Sequence, residues 1–185
     1  RSEIGELNEM LLGVTIPEKP GSFKKFCSLI GKKSITEFNY RYSDQKKAHV
    51  FVGIKLSNGI KDKNQILSNL KSNKYKVIDL TDNEVAKLHI RYMVGGVSNS
   101  ASNEMIFRFI FPEKPGELFN FLNAVGSNWN ISLFHYRNHG SDFGRVLIGI
   151  QVEPKDLSKL LRHLKTLNYE FFEETANKAY HLFLS

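Results

Sequence analysis

Apolar residues along this chain switch between two spacings, and the switch occurs in the same order twice. Residues 10–16 (Met-Leu-Leu-Gly-Val-Thr-Ile) and 105–111 (Met-Ile-Phe-Arg-Phe-Ile-Phe) are rich in β-branched and aromatic residues and stop at a proline, as strands do. After the following Pro-Gly the spacing becomes helical. Phe23, Phe26, Cys27 and Ile30 form an i, i+3, i+4, i+7 stripe, matched by Leu118, Phe121, Leu122 and Val125. Gly31 and Gly126 stand where a helix C-cap is expected. Two strands follow in each half, at about 34–42 with 48–56 and 130–137 with 144–152. Turn chemistry separates them, Ser43-Asp44-Gln45-Lys46 and His139-Gly140-Ser141-Asp142. Second helices are predicted on Ile60, Ile66, Leu67 and Leu70, and on the leucines at 157, 160, 161, 164 and 167. Tyr75 to Leu80 and Tyr169 to Glu173 read as closing strands. A short extra strand is predicted after each, around Leu88 to Met93 and Tyr180 to Leu184.

The two halves are copies of one unit. Pro17-Glu18-Lys19-Pro20-Gly21 returns as Pro112-Glu113-Lys114-Pro115-Gly116, and Phe26 and Gly31 as Phe121 and Gly126. After one inserted residue, Ile35, Phe38, Tyr40 and Arg41 return as Ile131, Phe134, Tyr136 and Arg137, and Val50, Gly53 and Ile54 as Val146, Gly149 and Ile150. The order β-α-β-β-α-β is the split-βαβ, ferredoxin-like unit. The fold class is therefore α+β: two tandem units, antiparallel sheets with helices on one face, expected to join edge to edge so that open strand edges are covered. The small, polar run Gly95 to Asn103 is the linker, which puts the units at 1–97 and 98–185.

Composition narrows the class. With 41% hydrophobic and 24% charged residues the chain is globular, and at 185 residues it can bury roughly 70% of its unfolded surface without metal or disulfide staples. No apolar run approaches a membrane span of roughly 20 residues. The single cysteine, Cys27, excludes an internal disulfide framework and fits a reducing, cytoplasmic setting. The chain starts at Arg1 without a methionine or an apolar leader, so no targeting peptide is read and a piece of a longer polypeptide is expected. Lysine plus arginine exceed acids by 26 to 19, a net charge of +7, but the basic residues are scattered and read as solvated faces.

Candidate chemistry is sparse. The acid pairs Asp79/Asp82 and Glu173/Glu174 lie beside turns, His135 and His139 run from a strand into a turn, and Cys27 sits on an apolar helix stripe. No nucleophile elbow, Walker loop or dinucleotide fingerprint is present, so the chain alone reads as no enzyme, with no metal and no cofactor. What remains is the repeated constellation. Pro20-Gly21 and Gly116 at helix starts expose backbone amides, and Tyr40, Arg41, Tyr136 and Arg137 lie on the next strand. Within that strand Phe38 and Tyr40 share one face, Asn39 and Arg41 the other. Tyrosine offers a ring with a polar tip, and arginine a fork suited to a carboxylate.

The stretch Ile16 to Phe23, the strand Thr36 to Tyr42, the run His89 to Gly96, and Trp129 to Arg137 with Gly144-Arg145-Val146 together resemble the regulatory domain of biosynthetic threonine dehydratase. The likeness runs from about residue 10 to the C-terminus. It implies two ACT-like subdomains that bind isoleucine as inhibitor and valine as its opponent. They would follow a pyridoxal-phosphate-dependent domain that deaminates threonine to 2-oxobutanoate in isoleucine biosynthesis, within a homo-tetrameric parent. On that reading residues 1–9, including the helix-like run Glu6 to Met10, are a remnant of the link to the absent catalytic domain, which would be the partner of this one. An amino-acid effector then has its carboxylate at the helix-start amides or an arginine and its tail against Leu122, Val125 and Phe134. Tyr40 and Tyr136 line the sites, with Arg41 and Arg137 beside them. Isoleucine and valine differ by one methylene, worth about 1–3 kcal/mol, so opposite effects need two conformations with different preferences. Two other classes share the element order or the basic charge. A tandem RNA-recognition module would want stacking aromatics on the third strands, which read Ala48 to Ile54 and Gly144 to Ile150. A purely structural domain would pair subunits without any ligand.

Overall fold

A computed structural model describes residues 8–92, 96–99, 101–138 and 142–185. The first unit comprises β1 (Glu9–Pro17), α1 (Ser22–Ile30), β2 (Ile35–Arg41), β3 (Lys47–Lys55), α2 (Ile60–Ser72), β4 (Lys76–Asp79) and α3 (Glu84–Leu88). The second comprises β5 (Glu104–Pro112), α4 (Glu117–Val125), β6 (Asn130–Arg137), β7 (Phe143–Gln151), α5 (Leu157–Thr166), β8 (Glu170–Glu173) and α6 (Lys178–Phe183). All eight strands form one antiparallel sheet in the order β4-β1-β3-β2-β6-β7-β5-β8. The units therefore join as expected, edge to edge, through β2 and β6. Asn39 lies opposite His135 at the middle of that seam, with Phe38 opposite Tyr136 and Tyr40 opposite Phe134.

One hydrophobic core crosses the seam. Leu12, Val14, Phe38, Val52, Phe107, Phe109, Phe134 and Ile148 point from one sheet face toward Phe26, Leu70, Phe121 and Leu164 of α1, α2, α4 and α5. Phe134 of the second unit meets Phe23 and Phe38 of the first at ring-centroid distances of 5.9 and 5.2 Å.

Each central strand reaches this register through a bulge at the same place in the repeat, between Ile35 and Glu37 and between Ile131 and Leu133. The extra residue turns Phe38 and Tyr40 inward after Ile35 has already faced the core. At the bulges the Thr36 and Ser132 hydroxyls donate to Glu9 (2.6 Å) and Glu104. Gly53 and Gly149 lie opposite because nothing larger fits. A Cβ on Gly149 would stand 2.8 Å from Ser132 Oγ and 3.0 Å from Leu133 Cβ, and one on Gly53 would collide with Thr36 Oγ1. Gly149→Ala is expected to cost about 1–3 kcal/mol by forcing the bulge apart, read as a lower urea midpoint. An unchanged midpoint would show that the bulge relaxes freely.

The structure differs from three of these expectations. The extra strands do not form: residues 84–88 and 178–183 are helices, and residues 90–92 make a 3-10 turn. Asn83 and Asn177 decide this, since their side chains accept the amides of Ala86 (3.0 Å) and Ala179 (2.8 Å), a side-chain N-cap that stops extended pairing. Helices also do not keep to one face, because Ala86 of α3 packs with Leu11 and Phe51 on the far side of the sheet. Glu9 and Met10, read as helix-like, open β1, while residues 1–7 lie outside the described residues, as do His139 to Ser141 of the predicted second turn.

Candidate effector site

Each Pro-Glu-Lys-Pro-Gly turn carries β1 or β5 into a helix, and its glycine adopts a left-handed conformation, φ +85° at Gly21 and +83° at Gly116. A residue with a Cβ would strain there. The turns are pinned alike, the Glu18 amide donating to Lys46 O and the Glu113 amide to Asp142 O, both at 2.9 Å. Each glutamate then turns inward to the tyrosine of the central strand. Tyr40 OH donates to Glu18, and Tyr136 OH donates to Glu113 at 2.6 Å. Both rings are buried, and Tyr40 lies edge-on to Phe23 at 5.0 Å.

Both turns sit where the units meet. Asn130 of the second unit donates to Glu18 (2.9 Å) while also bonding Gln151 (2.7 Å). Ser127 of the second unit closes over Gly21, so that a Cβ there would be 3.1 Å from Ser127 Oγ. A cleft of about 330 Å³ opens beside this contact, lined by Pro20, Gly21, Ser22, Tyr75 and Ser127 among others. A second, of about 290 Å³, sets Pro115 of the second unit against Lys32, Lys33, Ser34 and Lys55 of the first.

Burial raises the Glu18 carboxyl to about 7, against the Asn130 hydrogen bond and helped by the charge of Asp44. Tyr136 is pushed far up by burial and by its bond to Glu113. Cys27 is buried and raised to about 12 by desolvation alone, so its thiol packs rather than reacts.

Of the residues singled out from sequence, the structure brings Pro20, Gly21 and Tyr40 together at one turn and Gly116 and Tyr136 at the other. Leu122, Val125 and Phe134 are buried in the shared core. The arginines go to the far side of the sheet. Arg41 Nη1 pairs with Glu104 Oε2 at 2.5 Å, Nη2 reaches Glu104 Oε1 at 3.1 Å and Leu184 O at 2.5 Å, and Nε donates to Gly96 O at 3.1 Å. Arg137, on the same sheet face, lies opposite Glu37 in the β2–β6 register. Strand alternation is the reason: a neighbour of an inward tyrosine must point outward.

Sequence reading missed Glu18 and Glu113, whose signal was their recurrence inside the repeated turn. It also missed the far-side network. There Glu104 accepts Ser132 and Tyr180 (2.7 Å) as well as Arg41, and Arg91 bonds Glu9 (3.1 Å) and Glu37. Burial drives Glu37 up against the Arg91 hydrogen bond. Burial also pushes Glu104 up, but the bonds from Arg41, Ser132 and Tyr180 outweigh it and leave that carboxyl below its ordinary value. Among the described residues no three His, Cys, Asp or Glu side chains gather as for a metal, and no helix is long and apolar enough to cross a membrane.

Two β-α-β-β-α-β units sharing one sheet, each with a glycine turn set on a central-strand tyrosine at the seam, define a tandem ferredoxin-like α+β module. The family model for the C-terminal regulatory domain of threonine dehydratase matches residues 1–90 and again 95–184, one match per unit. The chain belongs to this regulatory-domain family. It is 50% identical over 185 residues to the biosynthetic L-threonine dehydratase IlvA of Burkholderia multivorans and, equally, to that of Escherichia coli K12. In both cases the match takes in 100% of this chain and 36% of the relative. Identity to the mitochondrial threonine dehydratase of Saccharomyces cerevisiae is 40% over 192 residues, covering 100% of this chain and 33% of that protein. The chain thus spans about a third of its relatives' length and corresponds to the regulatory part, with the catalytic domain absent from it. The regulatory subunit of Thermus thermophilus aspartate kinase aligns over 88% of this chain and 93% of its own, at 13% identity and a TM-score of 0.34.

Proposed function

We propose that this domain senses branched-chain amino acids, isoleucine as inhibitor and valine as its opponent, and so controls deamination of threonine to 2-oxobutanoate by a catalytic domain in the same polypeptide. The observation that carries this reading is the repeated turn-to-tyrosine contact, placed in both copies where the two units meet and beside a cleft. A ligand bridging a turn of one unit and residues of the other would bias how the units sit, which is what an effector must do. Residues 1–97 and 98–185 are the two subdomains on this reading, and assembly into a homo-oligomer belongs to the same proposal.

Pyridoxal phosphate belongs to the catalytic domain. Its aldehyde needs a lysine amine in an enclosed, glycine-cradled phosphate site, and the lysines that line the described clefts do not fit. Lys33 is committed to Asp62 at 2.9 Å, and Lys25 and Lys32 are exposed. On β3, Phe51 is covered by α3, so it offers no open ring for a stacked base.

Isothermal titration with L-isoleucine and L-valine is expected to give saturable heats, with L-leucine and L-threonine silent. Silence for all four would overturn the proposal for this chain. Ligand-independent assembly without any such heat would favour a purely structural role, and a salt-dependent shift with single-stranded RNA the nucleic-acid alternative.

A further inference from the structure

Glu18 and Glu113 face inward from an exposed turn, and neither forms an ion pair with a described cation. Among the described residues the Glu18 side chain is met by Tyr40 OH and by Asn130 Nδ2 at 2.9 Å, and that of Glu113 by Tyr136 OH at 2.6 Å. The second oxygen of Glu113 is buried with no partner among the described residues. A carboxylate has roughly four acceptor positions, so each has capacity left over. The adjacent Lys19 and Lys114 are exposed and supply no bond to either. A partly desolvated acid without a counter-ion works against folding, yet both copies of the turn keep one and hold it against a tyrosine in the same way.

We propose that Glu18 and Glu113 are the acceptors for the ammonium group of the effector, one per turn, and that they make the sites select an α-amino acid over the matching branched-chain carboxylic acid. This rests on the effector reading above. An incoming ammonium brings the missing counter-charge and up to three donors to an acceptor already oriented by tyrosine. A site built around such a bond discriminates strongly against an analogue lacking the group, because its own polar atoms are then left unpaired.

The proposal carries a pH signature. The groups facing Glu18 are Tyr40 from β2, Tyr42 just after it, Asp44 from the β2–β3 turn, and the uncharged Asn130 from the second unit. Tyr42 is raised by burial and nearby acids and stays neutral near pH 7. Asp44 is held low by the amides of Lys46 and Lys47 and stays charged. Glu18 alone of these changes charge around pH 7, so ammonium binding at its turn weakens as pH falls through that value.

The test is calorimetry on the full 185-residue chain with L-isoleucine and with 3-methylpentanoate, the same molecule without its amino group. Wild type is expected to bind isoleucine, to bind 3-methylpentanoate at least about tenfold more weakly, and to lose isoleucine affinity from about pH 8 to about pH 6. The double variant E18Q/E113Q keeps an acceptor for each tyrosine and is expected to lose at least about tenfold in isoleucine affinity while its melting curve stays cooperative. If the variant bound isoleucine like wild type, or wild type took both ligands equally, the inference would fail and the effector reading would stand. Wild-type silence toward every branched-chain amino acid would remove both. If the variant fails to fold, the wild-type comparison of ligands and pH decides alone.

Discussion

Replacing Arg41 by alanine is expected to destabilise the fold by about 3–5 kcal/mol, more than an ordinary surface arginine would, because it strands Glu104. The side chains of the pair are 8% and 4% exposed, and the guanidinium is the cation that bonds this carboxylate. The same change releases Gly96 O in the linker and Leu184 O at the C-terminus, which Arg41 ties to the seam strand β2. Urea unfolding measures the loss. A cost under about 1 kcal/mol would mean that water reaches Glu104 despite its burial. Acid behaviour provides an independent check. Glu104 has its native value below the ordinary 4.5, so in the unfolded chain it takes up protons first as pH falls. Its contribution is complete above about 4.5 and disappears as pH drops through the lower native value. Arg41→Ala should flatten the acid limb of stability against pH. The double variant Arg41→Met/Glu104→Met should recover much of the loss, since an apolar pair needs no compensation.

Phe134→Ala is expected to cost about 3–5 kcal/mol, and to cost it to both units at once. Phe134, expected as a wall for a ligand's tail, has its ring fully buried against Phe23 and Phe38 of the other unit. The cavity left behind would lie in the shared core. The single tryptophan, Trp129, reports on the second unit, while far-ultraviolet circular dichroism reports on both. The two unfolding curves should stay superimposed and move together to lower urea. A shifted tryptophan curve beside an unmoved dichroism component would show two independent cores.

The sequence by itself determined the repeat, the element order and the core-facing positions, because each follows from local rules. A change from strand runs to helical stripes marks β1 and α1, a proline marks the strand end, and a glycine in a left-handed conformation marks the turn. Tyr40 and Tyr136 were legible as a matched pair in the same way, and so was the opposite direction of Arg41. Where the local signal was weak the reading failed: five- or six-residue runs such as Glu84 to Leu88 are settled by one asparagine cap. Partners in space were beyond it. The 85 residues between Glu18 and Glu104 hold nothing to say that one would meet a tyrosine without a cation and the other a buried arginine. Only the joined sheet decided that, because pairing β2 with β6 fixes which side chains cross the seam and which face each reaches. Charge placement in a low-dielectric interior depends on those non-local distances, and a linear pattern does not encode them until the chain is folded.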